Sequence, residues 1–170
     1  QKAAGFCAFH VLAPEWKDYA AIDLKAPTKA IKKLLDAKLA KRDAMAKQYV
    51  DVLQYGDGEW GVAGLSQAAD TLLDFVRVLR DAPDPPNLTP DQLDIFRAEL
   101  ENKAFPVEEL AIVALEKALD KAFELGIYSD HTLLIEERLK EYKPGEFGPI
   151  EVMPFFPSVT TYGLSELAAR

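Results

Sequence analysis

Tyr49-Val50-Asp51-Val52-Leu53-Gln54-Tyr55-Gly56-Asp57-Gly58-Glu59-Trp60-Gly61-Val62-Ala63 is the stretch on which the fold turns. Two glycines in three positions, Gly56 and Gly58, supply the positive backbone torsions that a helix end or a tight turn requires. On the N-terminal side, Ile31, Leu34, Leu35, Leu39, Met45, Tyr49, Val52 and Leu53 recur at three- and four-residue intervals. That period predicts a helix from about Thr28 to Tyr55. On the C-terminal side Trp60, Ala63, Ala68, Leu72, Phe75, Val76 and Leu79 make one stripe, which predicts a second helix from about Glu59 to the proline-rich segment 82–86. A connection this short makes the two helices antiparallel neighbours. Gly61 and Gly64 fall inside the stripe, where small residues permit close helix approach.

Moving outward, Leu88-Thr89-Pro90-Asp91 is a helix start: Thr89 as N-cap, Pro90 at the first helical position, Asp91 at the positive end of the dipole. The stretch runs to Leu125 but contains Pro106, which lacks an amide donor, so a kink or a split is expected there. Beyond it Val107, Leu110, Ala111, Leu115, Ala118, Leu119 and Ala122 resume the helical period, and Gly126 ends it. Ser129 or Asp130 can cap a fourth helix running to Tyr142, closed by Lys143-Pro144-Gly145. At the other end, Ala3 to Leu12 suits a helix that ends before Pro14. The expected fold is therefore all-α, built of antiparallel long-helix hairpins over residues 1–148. From 149 to 170 the chain changes character: Pro149, Pro154 and Pro157 punctuate an apolar tail containing Ile150, Val152, Phe155 and Phe156, with a short helix expected at the end.

The chain of 170 residues is 49% hydrophobic, enough for a buried core. Its 28 acidic against 20 basic side chains give a net charge of −8, which disfavours nucleic acid and anionic lipid as partners. The apolar run from Ala3 to Ala13 is far shorter than the ~20 residues of a membrane span. One cysteine forms no internal disulfide, and one cysteine with two histidines makes a poor zinc site. No phosphate-binding glycine pattern and no Glu-x-x-His pair occurs. His131, beside Asp130, reads as solvated or capping, His10 as a partly buried residue, and Cys7 as packing. No metal, no cofactor and no catalytic constellation is expected.

Charge is unevenly placed. Between Lys25 and Lys47 there are eight basic residues against Asp36 and Asp43, a local net of +6 that leaves −14 on the rest. Such a helix can pair with its own neighbours or bind an acidic protein partner. Lys38 and Arg42 interrupt the apolar stripe, so one of them should reach past the seam to a carboxylate on an adjacent helix. The expected contact residues for a protein partner are Lys32, Lys33 and Lys41 on the basic helix and Phe155 and Phe156 in the tail.

Trp60-x-x-Ala63-Gly64 and Ala111-x-x-x-Leu115-x-x-Ala118 resemble the two helices of a tetratricopeptide hairpin, implying a TPR-like bundle. A broader pattern includes Asp18-Tyr19, Leu24-x-x-Pro27, Lys38, Tyr49-x-x-Val52, Tyr55-Gly56-Asp57, Ala82-Pro83-x-Pro85, Ala104-x-Pro106-x-Glu108-Glu109 and Glu124-Leu125-Gly126-x-Tyr128. It resembles the C-terminal helical region of large tetratricopeptide-type envelope proteins of gliding bacteria. That resemblance implies a non-catalytic scaffold or adaptor segment of a larger protein, in the cell envelope and periplasmic, with a link to gliding motility. Gln1 in place of methionine accords with a piece of a longer chain. The competing expectations are a small-ligand-binding or enzymatic helical domain and a structural spacer within a solenoid.

Overall fold

A computed structural model describes residues 1–25 and 28–147 of the chain. Among the described residues every regular element is helical: α1 (Lys2–His10), α2 (Ala13–Ala20), α3 (Thr28–Val50) with a 3-10 continuation (Asp51–Tyr55), α4 (Gly58–Arg80), α5 (Pro90–Glu124), α6 (Asp130–Tyr142) and the single turn α7 (Pro144–Phe147). The all-α expectation holds. The tail from 149 to 170, with Phe155 and Phe156, lies outside the described residues.

The Gly-Asp-Gly stretch divides its labour. Gly56 takes the left-handed conformation (φ +68°) that ends the 3-10 turn, and Asp57 caps α4, its Oδ1 accepting the Trp60 amide at 3.0 Å. Chain reversal there lays α3 antiparallel to α4. Lys38 meets Asp74 near one end of the pair, and Tyr49, Val52 and Leu53 meet Gly64 and Gly61 near the other. The glycines are what the close approach demands. A Cβ on Gly64 would collide with the Tyr49 carbonyl oxygen, and one on Gly61 would lie 2.9 Å from Leu53 Cδ2.

Helix α4 is the hub. Its buried residues, from Gly61 through Leu79, fall on several faces because α1, α3, α5 and α6 all pack on it. Three core clusters result. The first joins α4 (Val62, Ala69, Leu72, Leu73) to the second half of α5 (Ala111, Leu115, Ala118, Ala122) and to Ile135 and Leu139 of α6. A second joins Phe75, Val76, Leu79 and Ala82 to Leu100 and Ala104 of α5 and to Leu24, with Ile31, Leu34 and Leu35 of α3 against it. The third gathers Leu12, Tyr19, Met45, Tyr49, Val52 and Ala68, where α1 and α2 cover the α3–α4 seam.

The capping box at Thr89 forms as the sequence suggests: Thr89 Oγ1 accepts the Gln92 amide and Gln92 Oε1 accepts the Thr89 amide. At the other end of α5, Gly126 has φ +64°, its amide donates to Phe123 O and the Ile127 amide donates to Ala122 O. That is a Schellman ending.

Of the two outcomes expected at Pro106, a kink or a split, the split does not occur: α5 runs unbroken from Pro90 to Glu124. The proline removes one amide donor, toward the Asn102 carbonyl, and both residues are exposed, so water can supply the missing bond. Arg80 of α4 then spans the site, donating to Glu101 ahead of the proline and to Glu108 behind it. The first helix ends before Pro14 as expected, at His10, and Pro14 opens a further helix, α2, in its first turn with Glu15 beside it, the arrangement in which a missing amide costs nothing.

Candidate functional site

The basic helix separates into residues used inside the fold and residues left at the surface. Lys38 is fully buried, with its Nζ donating to Asp74 Oδ2 (2.6 Å), Ile22 O (2.8 Å) and Tyr19 O (3.2 Å) while lying 4.2 Å from the centre of the Tyr19 ring. All three ammonium protons are thereby placed, and the turn after α2 is tied to α4. Burial lowers the Lys38 pKa, with Asp74 opposing. Asp74 also accepts from Arg77 Nη2 (2.5 Å). Arg42 stacks over the Phe75 ring at 4.6 Å and bonds Asp43, and Lys47 pairs with Asp51. The cation expected to cross the seam is Lys38.

Lys32, Lys33 and Lys41 remain exposed, and no ion pair joins them to any acid among the described residues. Lys32 and Lys33 are adjacent in the first half of α3, whereas Lys41, nine positions after Lys32 and so on the opposite side of the helix, lines a hollow with Glu15 and Asp18 of α2. Phe155 and Phe156, the other expected contacts, lie outside the described residues.

Two arrangements escape a reading of the sequence. One is a cleft of about 320 Å³ between α2, α4 and α6, walled by Trp16 and Tyr142 and lined by Asp70, Asp74, Arg77, Arg138 and Glu141. Its signal was present in α4, where Asp70, Asp74 and Arg77 at i, i+4 and i+7 interrupt an otherwise apolar run on one face. Burial raises the Asp70 pKa, and Arg138, 3.2 Å away, pulls it back down. Each guanidinium in the cleft already meets a carboxylate: Arg138 bonds Asp70 and lies near Glu141, and Arg77 bonds Asp74. The cleft thus locks α6 to α4 and offers a charged ligand no unmatched partner.

The other arrangement corrects the expectations for the two histidines and the cysteine. His10 and His131, from opposite ends of the chain, flank Trp60 with ring centres 5.1 and 6.0 Å from it, and Phe9 lies 5.4 and 5.5 Å from the two imidazoles. His131 is half-buried rather than solvated, His10 is exposed on its outer edge, and Cys7 is exposed rather than packed. Gly5 lets α1 settle here, since a Cβ on it would sit 3.1 Å from that of Trp60.

Burial lowers the His131 pKa below its ordinary 6.5; Asp130 and Glu59 act in the opposite direction and His10 adds to the lowering. Lys2 of α1 binds Glu59 at 2.9 Å, and the Asp57 carboxylate caps the same end of α4. The folded imidazole therefore stays neutral over a range in which the unfolded one is already protonated. Stability contributed there is complete above about pH 6.5 and declines as pH falls toward the lower folded value. Urea unfolding followed by tryptophan fluorescence should show a loss of stability between about pH 7.5 and about pH 5.5 that is smaller in His131→Gln. An identical pH dependence in the variant would remove His131 from that account.

Among the described residues no group of three or more histidine, cysteine, aspartate or glutamate side chains is placed to hold a metal ion, and no helix is long and apolar enough to cross a membrane. Comparison with known protein families, with curated proteins and with solved structures gives no match for this chain.

Proposed function

We propose that the chain is a non-catalytic helical scaffold module that captures an acidic protein surface through the exposed lysines of α3. The observation that carries this reading is the division of the basic residues. Lys38 is buried and bonded inside the fold, and Arg42 and Lys47 pair with the nearby Asp43 and Asp51, whereas Lys32, Lys33 and Lys41 stand exposed with no ion pair among the described residues. Exposed lysines free of an ion pair, fixed on a rigid helix, steer an acidic partner toward it. The cleft beside Trp16 is matched internally, which weighs against the small-ligand reading.

The antiparallel pairing of α3 with α4 and the small residues at the seams support a TPR-like arrangement, although the helices are longer than those of a 34-residue repeat. On the strength of the sequence pattern alone, the module belongs to a larger periplasmic envelope protein of the gliding-bacterium type. Reversing charge in Lys32→Glu/Lys33→Glu/Lys41→Glu should cut capture of acidic partners in a pull-down by roughly tenfold and flatten its salt dependence. Circular dichroism should remain that of the parent. Unchanged capture by a folded variant would overturn the proposal.

A further inference from the structure

Helix α1 is held lightly and in one place. Of its nine residues only Gly5 is buried, and the helix rests on the start of α4 and on the 3-10 segment beside it. Gly5 lies against Trp60, while Phe6, Phe9 and His10 surround the same indole with ring centres 5.1, 5.4 and 5.1 Å away. At the other end Lys2 pairs with Glu59 on the surface. The next buried side chain, Leu12, belongs with Tyr19 to the core cluster that holds α2, so an opening of α1 ends at Val11 and Leu12. Helix α6 is held far more firmly: Thr132, Ile135 and Leu139 are buried, and Arg138 bonds Asp70 of α4. The two helices meet at His131, because Phe9 of α1 covers that imidazole at 5.5 Å. Trp60, 6.0 Å from the same imidazole, buries its indole Nε1 with no acceptor among the described residues. The titratable groups facing His131 are His10 from α1, Glu59 from α4 and Asp130 on α6 itself, and Tyr49 of α3 packs on Phe9.

We infer that α1 is an acid-released arm: a proton on His131 lifts residues 2–11 off α4 and uncovers Trp60, while the other helices stay assembled. The coupling is direct, because moving Phe9 and His10 away returns His131 to water, removes the neighbouring imidazole and wets the indole Nε1. Burial is the main reason that His131 resists protonation in the closed arrangement; His10 adds to it, and Asp130 and Glu59 oppose it. Since the closed arrangement has the lower His131 pKa, opening takes up a proton and rises as pH falls below about 6.5. A single proton also sets a ceiling. With the open-arm imidazole titrating near its ordinary 6.5, opening increases by at most about tenfold between about pH 7.5 and about pH 5.5. Helix α1 yields before α6 because it has the least buried surface to give up.

Native-state hydrogen exchange of the full chain, corrected for the intrinsic pH dependence of amide exchange, reads this opening. Amides of residues 5–11 should exchange at least about tenfold faster, relative to their intrinsic rates, than those of α4 between Val62 and Leu79, and should respond little to low urea, the mark of a local opening. Their opening should increase roughly three- to tenfold from about pH 7.5 to about pH 5.5. His131→Gln should abolish that increase. His10→Gln should keep most of it, because burial outweighs the second imidazole. An α1 that opens only together with α4, with the same protection and the same steep urea dependence, would overturn the inference. So would an opening indifferent to pH, a response that survives in His131→Gln, or one that disappears in His10→Gln instead.

Discussion

Asp74→Ala should lower the stability of the fold by about 3–5 kcal/mol, more than any other single change at the α3–α4 seam, because it strands a fully buried ammonium without its counter-charge. Lys38 sits at 0% side-chain exposure and Asp74 at 11%, so solvent can replace little of what is lost. The reverse change, Lys38→Met, should cost less, about 1–3 kcal/mol. It leaves Asp74 paired with the half-exposed Arg77, and its main penalty is the missing donor at the Tyr19 and Ile22 carbonyls. Coupling the two changes as Lys38→Met/Asp74→Leu should recover much of the loss seen in Asp74→Ala, since an apolar pair carries no buried charge. The pH dependence is equally specific. Burial lowers the Lys38 pKa and Asp74 is the group opposing it, so without Asp74 the folded state favours the neutral amine more strongly than the unfolded chain does. The penalty in Asp74→Ala should therefore shrink as pH rises toward 10.5. Urea denaturation of the three variants settles the order, and an Asp74→Ala variant no less stable than Lys38→Met would refute the account.

The pairing across that seam is legible in the sequence because a lysine within an apolar helical stripe has few ways to be satisfied. What periodicity does not supply is the identity of the acid, since α4 offers Asp70 and Asp74 one turn apart and only the antiparallel register set by the Gly56 turn decides between them. Helix positions follow from the period-3.6 stripes and from Thr89, Gly56 and Gly126, whose roles depend on local backbone chemistry alone. The fate of Pro106 is a different kind of question. A local rule allows either a kink or a break, and that the helix does not break arises from long-range packing of Leu100, Ala104 and Ala111 on α4 and from Arg80 gripping both sides of the proline. Likewise the histidines look unrelated, being 121 positions apart, and meet only because α1 and the start of α6 both settle beside Trp60. The exposure of Lys32, Lys33 and Lys41 could be anticipated from the helical wheel; the internal matching of every guanidinium in the cleft could not, because it requires the placement of α6 against α4.

Gly64→Ala should destabilise the fold even though it improves the intrinsic helix propensity of α4 by about 1 kcal/mol. The new methyl would meet the carbonyl oxygen of Tyr49, a backbone atom that cannot rotate away, so α3 must move outward at the point where Tyr49 and Val52 are buried. Overpacking of this kind costs about 1–3 kcal/mol beyond any propensity gain, and for a domain of this size each kcal/mol lowers the melting temperature by about 2–4 °C. Two other glycines calibrate the effect. Gly61→Ala approaches the tip of Leu53, a flexible and partly exposed side chain, and should cost less. Gly145→Ala meets nothing within 4 Å and should be neutral. Thermal unfolding of the three variants therefore ranks Gly64 above Gly61 above Gly145, and a stabilising Gly64→Ala would mean that the α3–α4 approach is not set by that glycine. Gly64 and Asp74 stand about 15 Å apart on α4, toward opposite ends of the seam, so Gly64→Ala combined with Asp74→Ala should lose about the sum of the two separately. A loss well below the sum would mean that movement of α3 at one end is carried to the other.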